Sequence, residues 1–221
     1  FIYDVPYDVR IPIVEYCYKL MKNIYFNPEI FDVIELNAKH VILDDISMVC
    51  AHVKELSLEQ RIIKRLMDIV FALVSLIVSS PIWLICAIAI KHNDGGKILF
   101  KQKRATKNGK IFEVYKFRTM KENVQNYSAI SDDDRITSVG KVLRKLRIDE
   151  LPQILNILKG DMSTVGPRPE MLKNVCDYTE ALPEFAYRLR VKAGLTGYAQ
   201  IAGKYNTSPK DKLILDLMYI E

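Results

Sequence analysis

The chain has 221 residues, 49% of them hydrophobic, enough to build cores for one generous domain or two small ones. Its net charge of +5 is mild and points to an anionic partner without naming one, so lipid head groups, nucleotides and nucleic acid all stay open. Four cysteines (Cys17, Cys50, Cys86, Cys176) far apart in the chain exclude a disulfide framework or a zinc motif, and three scattered histidines (His40, His52, His92) exclude a metal or triad spacing.

The opening FIYDVPYDVR carries no Met, no basic n-region and no apolar h-region, so no targeting peptide is read and a cut fragment is expected. Helical apolar spacing over Pro12–Leu20, a β-run at Asn23–Phe26, a helix over Pro28–Leu36 and a strand at His40–Leu43 predict the remnant of an α/β layer. The next helix opens at Ser57, with Gln60 three residues on, a capping-box pattern.

That helix runs into an uncharged stretch from Ile69 to Ile90, the ~20 apolar residues that a bilayer-spanning helix needs. Ser79, Ser80 and Pro81 fall near its middle. Proline removes a backbone hydrogen bond there and predicts a bend, and the serine hydroxyls can satisfy the freed carbonyls. Both flanks are basic (Lys64 and Arg65 before, Lys91 after), which a straight crossing would leave on opposite sides. The expectation is a re-entrant membrane hairpin with its hinge at Ser80 and Pro81.

Downstream, a turn at Asn93–Gly96 precedes a strand at Ile98–Lys101; an Asn108-Gly109 turn then leads to an alternating strand over Ile111–Phe117. Six cations and no acid lie between Lys97 and Lys110, read either as a solvated edge or as attraction to anionic lipid at roughly 1 kcal/mol per cation. With no recognition helix or stacking motif beside them, nucleic acid is not the expected partner. Strand alternation puts Lys116 and Arg118 on one side, where they could grip phosphate. The acidic loop Ser131–Ser138 reads as exposed.

The densest chemistry lies in LRKLRIDELPQILNILKGDMSTVGPRP, Leu143–Pro169. A helix over Lys141–Arg147 is followed by adjacent acids, Asp149 and Glu150, with Arg144 and Arg147 upstream. An Asp before Glu-Leu-Pro is a good helix N-cap; with cations one and two turns away, it can also mark an anion site. Ile154, Leu155, Ile157 and Leu158 form an apolar face ending at Lys159 and Gly160, and Asp161 adds a further acid. Pro167 and Pro169 stiffen Arg168, lowering the entropy lost when its guanidinium clamps a phosphate. The glycine-rich Arg190–Lys204 reads as a loop where backbone approaches a ligand, and Asp211–Ile220 as the start of a helix that looks cut off at Glu221.

The strings KRLMDI, YKFRTM, LRKLRIDELPQ, LKGDMSTVGPRP and LTGYAQIAGK, with the Ser80-Pro81 break, resemble the bacterial sugar transferases that are monotopic polyprenol-phosphate phosphoglycosyl transferases. The likeness spans Lys64 to about Glu221; Ala193 stands where the family usually has Pro. It implies a mixed, helix-rich α/β protein, with a membrane-embedded re-entrant helix hairpin and a small cytosolic α/β catalytic domain. Residues 1–56 would be the tail of an upstream nucleotide-binding-like α/β domain, 57–92 the helix and hairpin, and 93–221 the catalytic domain. The implied reaction moves a sugar 1-phosphate from a UDP-sugar to a polyprenol phosphate at the bacterial cytoplasmic membrane, releasing UMP, with Mg²⁺. Asp149 would be the nucleophile and Glu150 its partner, both on the metal; Lys116, Arg118, Arg144, Arg147, Asp161 and Arg168 would bind substrate. A metal-dependent phosphohydrolase of lipid diphosphates and a non-catalytic membrane scaffold remain the alternatives, and a homo-oligomer is left open.

Overall fold

A computed structural model describes residues 1–2, 5–36, 38–51, 55–121, 133–203 and 207–221, and divides the chain into two units, Phe1–Val53 with Glu221, and Lys54–Ile220. In the first, helix α1 (Tyr7–Lys19) buries Arg10, whose guanidinium donates to Asp32 at 2.7 and 3.0 Å and to the Asn27 carbonyl at 3.0 Å. Helix α2 (Ile30–Glu35) supplies that aspartate from its own capping box with Glu29. Strand β1 (Lys39–Leu43) pairs with β2 (Ile46–Cys50), which sequence patterning did not predict. The two are joined by Asp44-Asp45, both at positive φ, a hairpin turn without the glycine that usually signals it. Asn23–Phe26, expected as a strand, contributes only an isolated bridge between Phe26 and Ile2.

The second unit is built on helix α3 (Leu58–Asp94), capped as predicted by reciprocal bonds between Ser57 and Gln60 at 2.9 and 3.2 Å. It is one helix of 37 residues with Pro81 inside it. Pro81 has no N–H for the Ile77 carbonyl, and the Ser80 hydroxyl donates to that carbonyl at 2.8 Å instead. One stripe faces inward along both halves: Arg65, Asp68, Ala72, Leu76, Ser79, Trp83, Cys86 and Ile90, at helical spacing. The opposite face exposes large aliphatics, among them Ile77 (71%), Val78 (72%), Leu84 and Ile85. The helix is long and apolar enough to cross a membrane, and only 17% of its most apolar window is buried.

Strands β3 (Leu99–Ala105) and β4 (Ile111–Phe117) form an antiparallel hairpin in the register Leu99↔Phe117 to Ala105↔Ile111, turning through Asn108 and Gly109 at positive φ as predicted. Helix α4 (Ser138–Lys145) begins earlier than expected because Thr137 caps it, accepting from the Gly140 N–H at 2.9 Å. Helix α5 (Gln153–Lys159) stops at Gly160, φ 89°, as expected of a glycine stop. Strands β5 (Ser163–Val165) and β6 (Gly194–Thr196) pair in parallel. Helix α6 (Leu172–Ala181) and the 3₁₀ segment Pro183–Arg190 lie between them, followed by α7 (Tyr198–Ile201) and α8 (Pro209–Ile220).

Two apolar clusters hold α3 to this unit. Ala72 packs with Phe112, Val114, Ile154, Ile157 and Met162, while Cys86 and Ile90 pack with Phe117 and Leu143. Polar ties reinforce them: Arg65 donates to the Ile157 and Leu158 carbonyls at the C-terminal end of α5, where a cation suits the helix dipole, and Asp68 accepts from Ser163 and Thr164.

Two expectations need correcting. Of the loop read as exposed, Ser131 and Asp132 lie outside the described residues, and Asp133 and Arg135 are buried as an ion pair, each charge neutralising the other. The glycines of Arg190–Lys204 bring backbone against the chain's own backbone: a Cβ on Gly194 would sit 2.1 Å from the Gly166 nitrogen, and one on Gly197 2.3 Å from the Gly166 oxygen. Lys204 lies outside the described residues.

Candidate active site

Three segments converge here, each fixed by local backbone requirements. Strand β4 is tied to α5 by the fully buried Asn156, whose Oδ1 accepts from the Tyr115 N–H at 2.9 Å and whose Nδ2 donates to the Glu113 carbonyl at 2.7 Å. That places Lys116, the next residue on the strand, over the start of the α5 segment. Arg147 leaves α4 in the left-handed conformation (φ 56°, ψ 18°) and turns the chain into a 3₁₀ segment, Ile148–Glu150. Asp149 and Glu150 therefore sit in this turn and not at an N-cap: α5 starts three residues later with no side-chain cap.

The third segment is Pro167-Arg168-Pro169, whose prolines have no N–H to donate. Its three carbonyls anchor it instead: Pro167 accepts from the Gly194 N–H at 2.9 Å, Arg168 from Arg188 Nη2 at 2.8 Å and Pro169 from Arg104 Nη1 at 3.2 Å. The close Gly166–Gly194 approach is the reason that no side chain fits at either position.

Together the segments clamp Glu150. Its Oε1 accepts from Lys116 Nζ at 2.9 Å and Arg168 Nη2 at 2.5 Å, and its Oε2 from Arg168 Nη1 at 3.0 Å. Burial alone would raise the Glu150 pKa, but Arg168 and Lys116 outweigh it and hold the carboxyl well below the usual carboxylate range. Arg168 is raised in turn, its burial more than offset by Glu150. Burial lowers Lys116, against the pull of Glu150.

Asp149, next in the chain and only 9% exposed, lives differently. Burial pushes its pKa up, opposed by Lys116, reinforced by the charge of Glu150 and opposed again by Arg144. Asp149 is thus a buried carboxyl near cations that, among the described residues, lacks the bidentate arginine that holds Glu150.

Of the predicted site residues, Asp149, Glu150, Lys116 and Arg168 come together, and Arg144 contributes charge to Asp149 while its Nε donates to Thr119 Oγ1 at 2.9 Å. Arg118 is buried beside them in sequence, donating to the Lys97 carbonyl at 2.6 Å. Arg147 is exposed and serves as the left-handed hinge. Asp161 stands past the end of α5, its carbonyl accepting from Thr106 Oγ1 and its charge acting on Lys192. Arg104 was missed: burial brings its pKa down to about 10, against the pull of Glu170, so it remains a cation at neutral pH beside Arg168 and Glu150. A cation on a strand edge rich in lysines gave no signal that set it apart.

Among the described residues no three His, Cys, Asp or Glu side chains converge to cage a metal. Mg²⁺ does not require a cage, because it takes one or two carboxylates and completes its shell with phosphate oxygens and water. Asp149 offers a carboxylate, and three hydrogen bonds leave one of the four acceptor positions of Glu150 open. This donor set fits a magnesium ion that also binds a diphosphate.

Residues 59–221 match the family model described as bacterial sugar transferase. The chain is 43% identical over 165 residues to UDP-N-acetylgalactosamine-undecaprenyl-phosphate N-acetylgalactosaminephosphotransferase of Aeromonas hydrophila, covering 72% of this chain and 39% of that protein. It is 38% identical over 176 residues to the exopolysaccharide production protein ExoY of Sinorhizobium fredii, covering 72% of this chain and 76% of that protein. It is also 37% identical over 179 residues to UDP-glucose:undecaprenyl-phosphate glucose-1-phosphate transferase of Escherichia coli, covering 80% of this chain and 39% of that protein. The chain thus spans about two fifths of the length of the Aeromonas and Escherichia relatives.

Proposed function

Because the chain belongs to the bacterial sugar transferase family, we propose that it transfers a sugar 1-phosphate from a UDP-sugar to a polyprenol phosphate, the first membrane step toward a glycoconjugate or exopolysaccharide. The observation that carries this reading is the unlike pair of acids: Glu150 locked by Lys116 and Arg168, Asp149 desolvated and unlocked beside it.

In the reaction, a carboxylate oxygen of Asp149 bonds to the sugar-bearing phosphorus and the bridging P–O bond to UMP breaks. UMP leaves with the electron pair. The sugar phosphate is then an acyl phosphate on Asp149, and an oxygen of polyprenol phosphate attacks the same phosphorus, freeing the carboxylate. Splitting the exchange lets a soluble donor and a lipid acceptor visit one site in turn. Arg168, Lys116, Arg144 and Arg104 lower the repulsion between Asp149 and the diphosphate and stabilise charge on the phosphoryl oxygens. Magnesium, when bound by Asp149 and Glu150, would neutralise the leaving diphosphate oxygens.

The membrane enters through α3. Its exposed aliphatic face reads as a lipid surface at the bacterial cytoplasmic membrane, with the catalytic unit on the cytosolic side. The inward stripe packs on the same unit through both halves, at Ala72 and at Cys86 and Ile90, so neither half is free to leave that side; this favours entry and return at Pro81 over a straight crossing. Basic residues at both ends, Lys64 and Arg65 against Lys91, agree with it.

Screening UDP-sugars with polyprenol phosphate for UMP release tests the activity, and a sugar-phosphate adduct on Asp149 in the mass spectrum separates transfer from hydrolysis by water. Thiol reporters at positions 60 and 95 labelled from opposite sides would reject the re-entrant arrangement.

A further inference from the structure

The groups nearest the acids do not set their own position. Arg168 lies in a turn without proline donors, and its carbonyl is held by Arg188, itself only 4% exposed. Arg188 is in turn held by Asp216 of α8, 1% exposed, which accepts from Nε at 3.0 Å and lies 2.8 Å from Nη2 as an ion pair. Its guanidinium also lies 4.7 Å from the Phe185 ring centroid. Glu170, two residues after Arg168, stands 3.9 Å from Arg188 Nη1 and 3.5 Å from Lys212 Nζ of α8.

Burying an arginine and an aspartate this deeply is costly, and apolar residues of like volume would serve a simple core contact as well or better. What an apolar pair could not do is donate to a carbonyl at a fixed point. Arg188 does both jobs, Nε donating to Asp216 and Nη2 to the Arg168 carbonyl.

Resting on the transfer reading above, we propose that Arg188 and Asp216 are a positioning pair, which sets Arg168 and through it the Glu150 carboxylate in register with Asp149. The charge of Asp216 is then part of the arrangement, because without it the guanidinium of Arg188 is an uncompensated buried cation that turns toward Glu170 and away from the carbonyl. The groups facing Asp216 are Arg188 from the 3₁₀ segment, Glu170 from the turn and Lys212 from its own helix. Burial lifts Asp216 to about 6, against the pull of Arg188, so it ionises just below neutrality and is charged when the enzyme works at pH 7. Acid protonation of Asp216 then releases Arg188 and, with it, Arg168.

The experiment uses the full chain in detergent or nanodiscs, with UDP-glucose and UDP-N-acetylgalactosamine as donors and undecaprenyl phosphate as acceptor, and compares wild type, Asp216→Asn and Arg188→Lys. A displacement of about 1 Å at a reacting group can cost on the order of 10²-fold, so kcat should fall by about that factor in Asp216→Asn, with KM for the donor changed far less. The acid limb of log kcat against pH should lose one proton from its limiting slope relative to wild type. Arg188→Lys keeps the charge, loses the fork and should lie between the two. Equal kcat in Asp216→Asn, a loss matched by the folded fraction, or an unchanged slope would each overturn the proposal.

If wild type releases no UMP from any UDP-sugar of the screen above, the transfer reading fails by itself. The pair is then judged by magnesium pyrophosphate affinity in a double-mutant cycle of Arg188→Lys with Arg168→Lys: strong coupling supports positioning, and additivity overturns it.

Discussion

The charged cluster from Asp149 to Asp216 and the outer face of α3 break the usual rule for folded chains in opposite ways. One buries charge: Asp149, Arg188 and Asp216 are removed from water, and Lys116 is largely so. The other exposes hydrocarbon, with Ile77 and Val78 each more than two-thirds accessible within a face of bare aliphatics. Neither arrangement favours stability in water. The first makes sense if an anion completes the cluster, the second if lipid is the solvent, and the polyprenol phosphate proposed as acceptor would need both.

Replacing the acid that is expected to bond phosphorus should have the largest effect. Asp149→Asn should lower UMP release on the order of 10⁴-fold or more, as loss of a covalent nucleophile does elsewhere. Stability should move the other way. Because burial raises the pKa of Asp149, the folded state favours its neutral form, and its ionised form costs stability at every pH above the folded value; a neutral amide removes that cost. Tm at pH 7 should therefore rise, by about 2–4 °C for each kcal/mol recovered. A variant both inactive and less stable would mean that Asp149 is a structural acid.

Next comes the clamp. Arg168→Ala leaves Glu150 with Lys116 alone and removes a cation aimed at the phosphoryl oxygens, so kcat should fall on the order of 10²–10³-fold. The sign for Glu150 is opposite to that of Asp149. Its depressed pKa contributes stability that is full above the unfolded carboxylate value and is lost progressively as pH falls from there toward the much lower folded one. Glu150→Gln should therefore lower Tm at pH 7, and the gap to wild type should shrink as pH falls below the unfolded carboxylate value, as read by circular dichroism.

How much of this was legible depended on whether a signal was local. The capping box at Ser57, the Asn108-Gly109 turn and the glycine stop at Gly160 rest on near neighbours and appear as read, and the apolar stretch expected as a hairpin hinged at Pro81 appears as one long helix with Pro81 inside it. The grouping of Asp149, Glu150, Lys116 and Arg168 also appears as read, although the resemblance pointed to it more firmly than the spacing did. Strand β2 escaped because Asp44-Asp45 lacks a turn glycine, and Asp133 because its neutralising partner was not weighed. Asp68, Asn156 and Asp216 escaped for a shared reason: each is a polar residue inside an apolar helical stretch whose partner is far along the chain. A lone acid such as Asp216 in LILDLMYI is itself the clue, since it must find a buried donor or not be buried.

The face of α3 can be tested where water and lipid disagree. Val78→Lys alters an exposed side chain, a change worth within about ±0.5 kcal/mol in water. At the centre of a bilayer the same lysine costs about 2.5–3.5 kcal/mol, so the membrane-bound fraction in vesicle flotation should drop on the order of 10²-fold while the detergent-solubilised fold is unchanged. Equal flotation would mean that the face is covered by protein.

The smallest effect separates two adjacent serines. Ser79 donates to the Ser75 carbonyl at 2.6 Å, but in a regular helix that carbonyl already accepts from the Ser79 N–H, so the hydroxyl is a second donor. Ser80 donates to the Ile77 carbonyl at 2.8 Å, whose regular donor would be the nitrogen of Pro81, which has no hydrogen. In lipid there is no water to replace it, so Ser80→Ala leaves an unpaired acceptor at a cost of about 1–3 kcal/mol, or a few degrees of Tm in nanodiscs. Ser79→Ala should cost less despite the deeper burial of that residue, because it strands nothing. The reverse order would place the hydrogen-bond defect somewhere other than Pro81, and with it the bend on which a returning helix depends.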